Sequence, residues 1–392
     1  MGTSTPLKES TRKVVDSARD ALVDLSHRIH GHPELMFEEE KGCEWTAAAL
    51  DDANAGFSIQ TGVADLPTAF VAKAGSGPLH IGICAEYDAL PAVGHACGHN
   101  VIAAAAVGAG IALAKVADEV GLTITVLGTP AEEGGGGKIL MLERGGFAGV
   151  HAAMMVHPAP LELDHMPCAA ASLLNVRYEG KPAHAAAFPE MGINAADALT
   201  IAQVGIGLLR QQITHDIRIH GIITKGGDAP NIIPSDTTAE WMVRAPTLAR
   251  VAEIEPRVRA CFEAGALASG AKLEITERSP AYSEFDDDDE LMGLFRRNAI
   301  ALGRKPLEDA SGFSPASTDM ANISLAMPAI HPLLGLDSLP AVNHQPEFTA
   351  HCATPVADKA AVEGAIAMAW TCIDAAGDDA VRQRLLAGPR PG

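Results

Sequence analysis

Residues 81–100, IGICAEYDALPAVGHACGHN, decide the fold. They continue a short apolar run, Leu79–Cys84, of the kind that forms a strand covered on both faces. The run stops at Glu86-Tyr87-Asp88, a pair of carboxylates spaced two apart. Pro91 and Gly94 turn the chain into a loop that carries His95, Cys97 and His99. Beyond Asn100 the chain is Ala-rich to Lys115, a helix by propensity. Ligand-type side chains therefore lie between the carboxyl end of a strand and the start of a helix, where open α/β sheets place their sites. A thiol and imidazoles on a Gly-flanked loop suit zinc and its neighbours. On this fragment alone, a buried free cysteine beside a surface histidine reads the same way.

Two more strands end alike. Leu122–Gly128 (LTITVLG) runs into Thr129-Pro130-Ala131-Glu132-Glu133 and four glycines. Of two adjacent glutamates, one can ligate a metal while the other holds a proton. A solvated acidic turn ahead of a helix at 138–146 is the plainer alternative. The glycines favour a close backbone approach instead. Ala152–Val156 ends in His157-Pro158. Three such ends in one α/β unit converge on a crevice. His32-Pro33-Glu34 reads as the end of a helix over 11–31, with a capping histidine. His331, in an apolar segment, reads as a core or substrate-side residue.

At 392 residues the chain exceeds one ordinary core. An apolar fraction of 47% with 20% charged residues describes a soluble globular protein. The net charge of −20 disfavours nucleic acid and anionic membranes as partners. Seven cysteines without framework spacing point to a reducing, cytoplasmic compartment. The start, MGTSTPLKESTRK, lacks the apolar core of a signal peptide. No apolar run reaches the length of a membrane span. Near residue 170 the pattern changes. Strands at 173–179, 216–224, 237–244 and 272–277, with helices at 194–209 and 248–269, give the order β-α-β-β-α-β, which is ferredoxin-like. The expected architecture is a mostly parallel α/β catalytic domain (1–170 and 284–392) with an inserted ferredoxin-like α+β dimerisation or lid domain (171–283).

The set GHACGHN, TPAEEGGGG, MMVHP, GKPAHAA, APNIIPS and VNHQPEF resembles the zinc-type amidohydrolases that include aminoacylase, glutamate carboxypeptidase and succinyl-diaminopimelate desuccinylase. Within them it is similar to the branch with a Cys-x-His loop, and most to aminobenzoyl-glutamate hydrolase and the β-alanyl dipeptidases. The resemblance implies Cys97, His99, Glu133, His157 and His344 as ligands of a divalent metal, two ions per chain, with the Cys97 thiolate bridging. Zn²⁺ or Mn²⁺ is expected, and Co²⁺ is compatible. It implies Glu132 as general base and acid, and Asp88 as a carboxylate beneath the ligands. His184, in the inserted domain, would polarise the scissile carbonyl across a homodimer. Asn231 and Arg244 would hold the substrate's carboxylate or carbonyl. The implied activity is hydrolysis of an amide bond in a small dipeptide or N-acyl amino acid, of β-alanyl dipeptide or aminobenzoyl-glutamate type. Aminoacylase or hippurate-type hydrolysis of N-acyl amino acids is the alternative activity, and a non-catalytic binding protein on the same fold the alternative class. The chain departs from the wider family twice. Glu86 stands where many branches have a ligand histidine, and Asn100 follows His99 where the auxin-conjugate and hippurate enzymes have an aspartate.

Overall fold

The computed structural model describes residues 4–307 and 315–388. Two compact units emerge, Met1–Pro167 with Phe285–Gly392, and Cys168–Glu284.

The first unit opens with α1 (Ser4–His30), which starts earlier than the periodicity suggests. Val15, Leu22, Leu25 and Ile29 form its buried stripe. In α2 (Glu40–Asp52) the first-turn N–H groups of Lys41 and Gly42 donate to the Glu34 carboxylate at 2.9 and 2.8 Å. The His32-Pro33-Glu34 turn thus works through its glutamate, as a cap on the following helix, and His32 is exposed. Next come β1 (Ser58–Thr61), β2 (Phe70–Ala74) and β3 (Leu79–Ala85). The Ala-rich segment is α3 (His99–Ala114), buried on every side as its all-round apolar sequence requires. Short α4 (Ala117–Val120) leads to β4 (Leu122–Gly128), and α5 (Gly137–Glu143) to β5 (Ala152–Met154).

The expected strand 152–156 is in fact two elements. β5 stops at Met154, and His157 opens β6 (His157–Ala159), which pairs in parallel with Leu333–Gly335 outside the main sheet. That break redirects His157 away from the line of β5.

The main sheet has the order β1-β2-β4-β3-β5 and then Ala329–Ile330. β4, β3, β5 and Ala329–Ile330 run parallel, while β2 is antiparallel to both β1 and β4. Ala85 lies opposite Gly128, so β3 and β4 finish side by side and release their acidic segments at one edge.

The second unit contains β7 (Ala170–Glu179), α6 (Ala195–Leu209), β8 (Arg218–Lys225), β9 (Asp236–Ala245), α7 (Leu248–Ser269) and β10 (Lys272–Glu277). Its strands are antiparallel in the order β10-β7-β9-β8, which is the ferredoxin-like arrangement. Val176, Tyr178 and Val243 pack against Ile206, Val258 and Phe262 of the two helices.

The chain returns to the first unit with α8 (Asp289–Ala301), whose N-cap Asp288 accepts the Leu291 N–H at 3.0 Å. The acidic run 286–289 is therefore a helix start. α9 (Met320–Ala326), β11 (Ala329–Ile330), β12 (Leu333–Gly335), α10 (Pro346–His351), α11 (Pro355–Gly377) and α12 (Asp379–Leu386) follow. The hydrophobic pattern gave no sign of β1 or α12. Both are short and lie at the margin of the core.

Candidate metal centre

Two groups of donor atoms meet at one sulfur. Cys97 with His99 and His157 forms one, and Cys97 with Glu133 and His344 the other. Cys97 Sγ lies 3.6 Å from His157 Nε2 and 3.6 Å from His344 Nε2. His344 Nε2 lies 3.7 Å from Glu133 Oε2. Metal–sulfur bonds of about 2.3 Å and metal–nitrogen bonds of about 2.0–2.1 Å on a tetrahedron put the donors about 3.6 Å apart.

Local structure aims each donor. Gly98 adopts φ 80°, and a Cβ there would sit 2.8 Å from the Pro158 ring. Glycine therefore lets the chain turn tightly between Cys97 and His99. His99 Nδ1–H donates to Asp88 Oδ1 at 2.9 Å, and His157 Nδ1–H to the Pro158 carbonyl at 2.8 Å. In both rings Nε2 is then the nitrogen that could bind a metal. Asp88 Oδ2 also accepts the Glu133 N–H at 2.9 Å, so one carboxylate orients two donors. His344, at φ 69°, is tied by its N–H to the Ala96 carbonyl at 2.9 Å.

The electrostatics call for cations. His99 Nε2 faces oxygens of Glu86, Glu132 and Glu133 at 3.4, 3.9 and 3.9 Å. Burial pushes the His99 pKa down, but Asp88 and Glu86 outweigh it and hold the ring well above the usual range. Burial drives Cys97 well above an ordinary thiol, with the Glu133 charge adding to it. Burial lowers His157 to about 4, so it is neutral at pH 7, the form in which an imidazole can bind a metal. Glu86, Asp88, Glu132 and Asp319 are buried against one buried lysine, Lys138. A thiol, three imidazoles and converging carboxylates with a deficit of positive charge fit a pair of divalent ions.

Glu132 sits beside the donors. Burial, then the charges of Glu86 and Glu133, push its pKa well above that of an ordinary carboxylate. Nothing in the sequence marks Lys138 or Asp319, and Glu86 stands out there only as a strand end and as the position of a ligand histidine in many relatives. Lys138 Nζ donates to Glu86 Oε1 and, at 2.8 Å, to Asp319 Oδ1, while its backbone N–H donates to Asp319 Oδ2 at 2.8 Å. Replacing Lys138 by Met should strip the counter-charge from two buried carboxylates. A loss on the order of 3–5 kcal/mol is expected in denaturant unfolding of the purified protein. Unchanged stability would refute that role.

Asn100 points elsewhere: its amide donates to Ser26 and to the Cys352 carbonyl at 2.8 Å each. It fastens the start of α3 and does not face the donors. His331 is buried with its ring 5.3 Å from that of His157, and among the described residues neither of its nitrogens has a hydrogen-bond partner.

The remaining sequence-derived residues belong to the second unit. His184 is exposed, and its Nδ1 accepts the Ala186 and Ala187 N–H groups at 3.3 and 3.1 Å. This leaves the ring proton on Nε2, which can act as a donor. The Asn231 carbonyl accepts the Ala185 N–H at 3.0 Å, so the GKPAHAA and APNIIPS segments are joined. Arg244, half-buried on β9, donates from Nε to Met242 Sδ. Among the described residues no carboxylate lies within ion-pairing distance of its guanidinium.

A model of peptidase family M20/M25/M40 matches residues 83–362. Xaa-Arg dipeptidase of Mus musculus is 37% identical over 392 residues, covering 94% of this chain and 88% of that protein. One of the p-aminobenzoyl-glutamate hydrolase polypeptides of Escherichia coli (strain K12) is 34% identical over 281 residues, 66% of this chain and 58% of that one. A dinuclear metal-binding peptidase from the M20 family of Bacillus subtilis superposes with a TM-score of 0.62 at 22% identity, over 90% of this chain and 98% of the other, a likeness of fold. The extent of the family match and of the identity to the mouse dipeptidase places the chain in peptidase family M20/M25/M40.

Proposed function

We propose that the protein is a metal-dependent amidohydrolase that splits small dipeptides, with those ending in a basic residue as its preferred substrates. One observation carries the chemistry: two donor groups share Cys97, and a buried glutamate stands beside them. Cys97, His99 and His157 would hold one divalent ion, and Cys97, Glu133 and His344 the other. Divalent ions held there would supply Lewis acidity, polarising the scissile carbonyl and lowering the pKa of water towards neutrality. Glu132 takes the proton from the attacking water and returns it to the leaving amine. Asp88 keeps His99 and the Glu133 backbone in place. By the family resemblance, His184 would donate from Nε2 to a carbonyl oxygen, and Arg244 with Asn231 would hold the substrate's carboxylate or carbonyl. The preference for a basic residue comes from the likeness to Xaa-Arg dipeptidase. The likeness to the p-aminobenzoyl-glutamate enzyme supports aminobenzoyl-glutamate as the comparison substrate.

The test is amine release from dipeptides ending in Arg or Lys, from aminobenzoyl-glutamate, and from N-acetyl and N-benzoyl amino acids. Each is run before and after prolonged chelation. Chelation is expected to abolish turnover, and Zn²⁺, Mn²⁺ or Co²⁺ to restore it. Full activity in protein shown metal-free by elemental analysis would overturn the metal reading. Preference for an N-acyl amino acid would overturn the dipeptide reading.

A homodimer through the second unit belongs to the same proposal. β8 is a sheet edge with Ile222 and Ile223 exposed, and α6 exposes Val204 and Leu208. Ile222→Glu combined with Leu208→Glu should convert a dimer to a monomer in sedimentation velocity. A wild type that sediments as a monomer would remove the proposal. The seven cysteines, scattered without framework spacing, favour a reducing, cytoplasmic setting.

A further inference from the structure

Glu39 is fully buried at the N-cap position of α2, yet it does not cap that helix. The first-turn N–H groups of α2 are taken by Glu34. The Glu39 side chain instead reaches back to Phe37 and across to Thr68 and Ala131, which are remote in sequence. Its Oε1 accepts the N–H of Phe37 and the N–H of Ala131, each at 2.8 Å. Its Oε2 accepts the Thr68 hydroxyl at 2.9 Å.

Both backbone donors belong to residues in the left-handed region, Phe37 at φ 66° and Ala131 at φ 58°. Neither is glycine, and for an L-residue that conformation costs about 1–2 kcal/mol. Something must hold each in place. The two are also packed together through Gly135, where a Cβ would lie 2.6 Å from Ala131 Cβ and 2.7 Å from the Phe37 ring.

Ala131 is the residue before Glu132. On the other side of Glu132, the Glu133 N–H donates to Asp88 Oδ2 at 2.9 Å. The backbone of the general base is therefore held by a buried carboxylate on each side, Glu39 at residue 131 and Asp88 at residue 133. Without the Glu39 oxygen, the Ala131 N–H would be buried and unsatisfied, and the turn would relax towards an ordinary φ.

We infer that Glu39 is a positioning residue for the reaction, which latches the left-handed turn at Ala131 and so aims Glu132. This rests on the reading of Glu132 as the general base. What the latch needs is an acceptor oxygen at the right reach. Full charge is not required: burial and the neighbouring Asp88 push the Glu39 carboxyl up to about 7.

Two conservative variants separate reach from charge. Glu39→Gln keeps the length and an oxygen, and gives up the charge. Glu39→Asp keeps the charge and loses one methylene, so it cannot span to Ala131 and Phe37 together. Glu39→Asp is expected to lower kcat by about tenfold or more, because small misplacements of a reacting group are costly. Its KM and metal content should stay near wild type, and hydrogen exchange in the peptide covering 129–135 should quicken. Glu39→Gln should keep at least roughly a third of wild-type kcat on the same argument, with slow exchange retained. A Glu39→Asp protein with wild-type kcat, or two variants equally impaired, would overturn the inference. So would a fall in activity that merely follows loss of metal. Glu132→Gln, assayed alongside, keeps the two readings distinct. Inactive Glu132→Gln with normal Glu39→Asp defeats the latch alone, whereas active Glu132→Gln defeats the base assignment and the latch with it.

Discussion

Replacing Glu132 by Gln is expected to cut turnover by about a thousandfold or more while leaving the metal content intact, since proton transfer and water orientation are lost together. The carboxylate lies 3.9 Å from His99 Nε2 and close to Glu86 and Asp319, inside the cluster but outside the two groups joined at Cys97. Burial, with the Glu86 and Glu133 charges behind it, raises its affinity for a proton. That is the property a base needs if it is to hold a proton and then hand it to an amine. Glu133 differs in its surroundings. Its Oε2 is 3.7 Å from His344 Nε2, and it shares the second donor group with Cys97. Glu133→Gln should therefore weaken metal binding, seen as a lower metal content after dialysis against a weak chelator. Adding excess metal should recover part of its activity and none of that of Glu132→Gln. The opposite pattern, metal lost from Glu132→Gln and kept by Glu133→Gln, would reverse the assignment.

The ends of three strands were legible because a buried parallel strand is a continuous apolar run, and its interruption by Glu86, by Glu132-Glu133 or by His157 is conspicuous. Even so, the third interruption misled in detail. Nothing local to residues 152–157 shows that the chain leaves one sheet at Met154 and joins another at His157. The partner of that second pairing, Leu333, is far along the sequence. The same holds for the buried charges. Lys138 looks like a first-turn helix residue, and Glu39 like one more acid in the run Glu38–Glu40. Their functions appear only with Asp319, Glu86 and Ala131 beside them. A hydrophobic pattern reports which side of an element is covered. It says nothing of which polar group meets which inside the cover. The short motifs that resemble a known family name the candidate donors and Asp88 beneath them, and the tertiary structure adds the contacts that Lys138 and Glu39 make around them.

His184→Ala is the second large effect expected. The Nδ1 atom is occupied by the backbone N–H groups of Ala186 and Ala187, so the loop fixes the tautomer that donates from Nε2. A single preorganised donor to a developing oxyanion is worth about 3–4 kcal/mol of barrier, or roughly two to three orders of magnitude in kcat. The ring is exposed and remote in sequence from every metal donor, so metal content and thermal stability should not change. If the histidine serves a partner chain, mixing His184→Ala protein with Glu132→Gln protein gives a decisive result. In a mixed dimer one site would have an intact Glu132 and receive an intact His184, and the other would lack both. Activity should reappear on mixing, to at most about half the wild-type value per mixed dimer, because a two-fold assembly restores one site of its two. Mixed dimers, confirmed by differently tagged chains, that stay inactive would show that His184 does not act in trans. A His184→Ala chain with wild-type kcat would remove it from the reaction altogether.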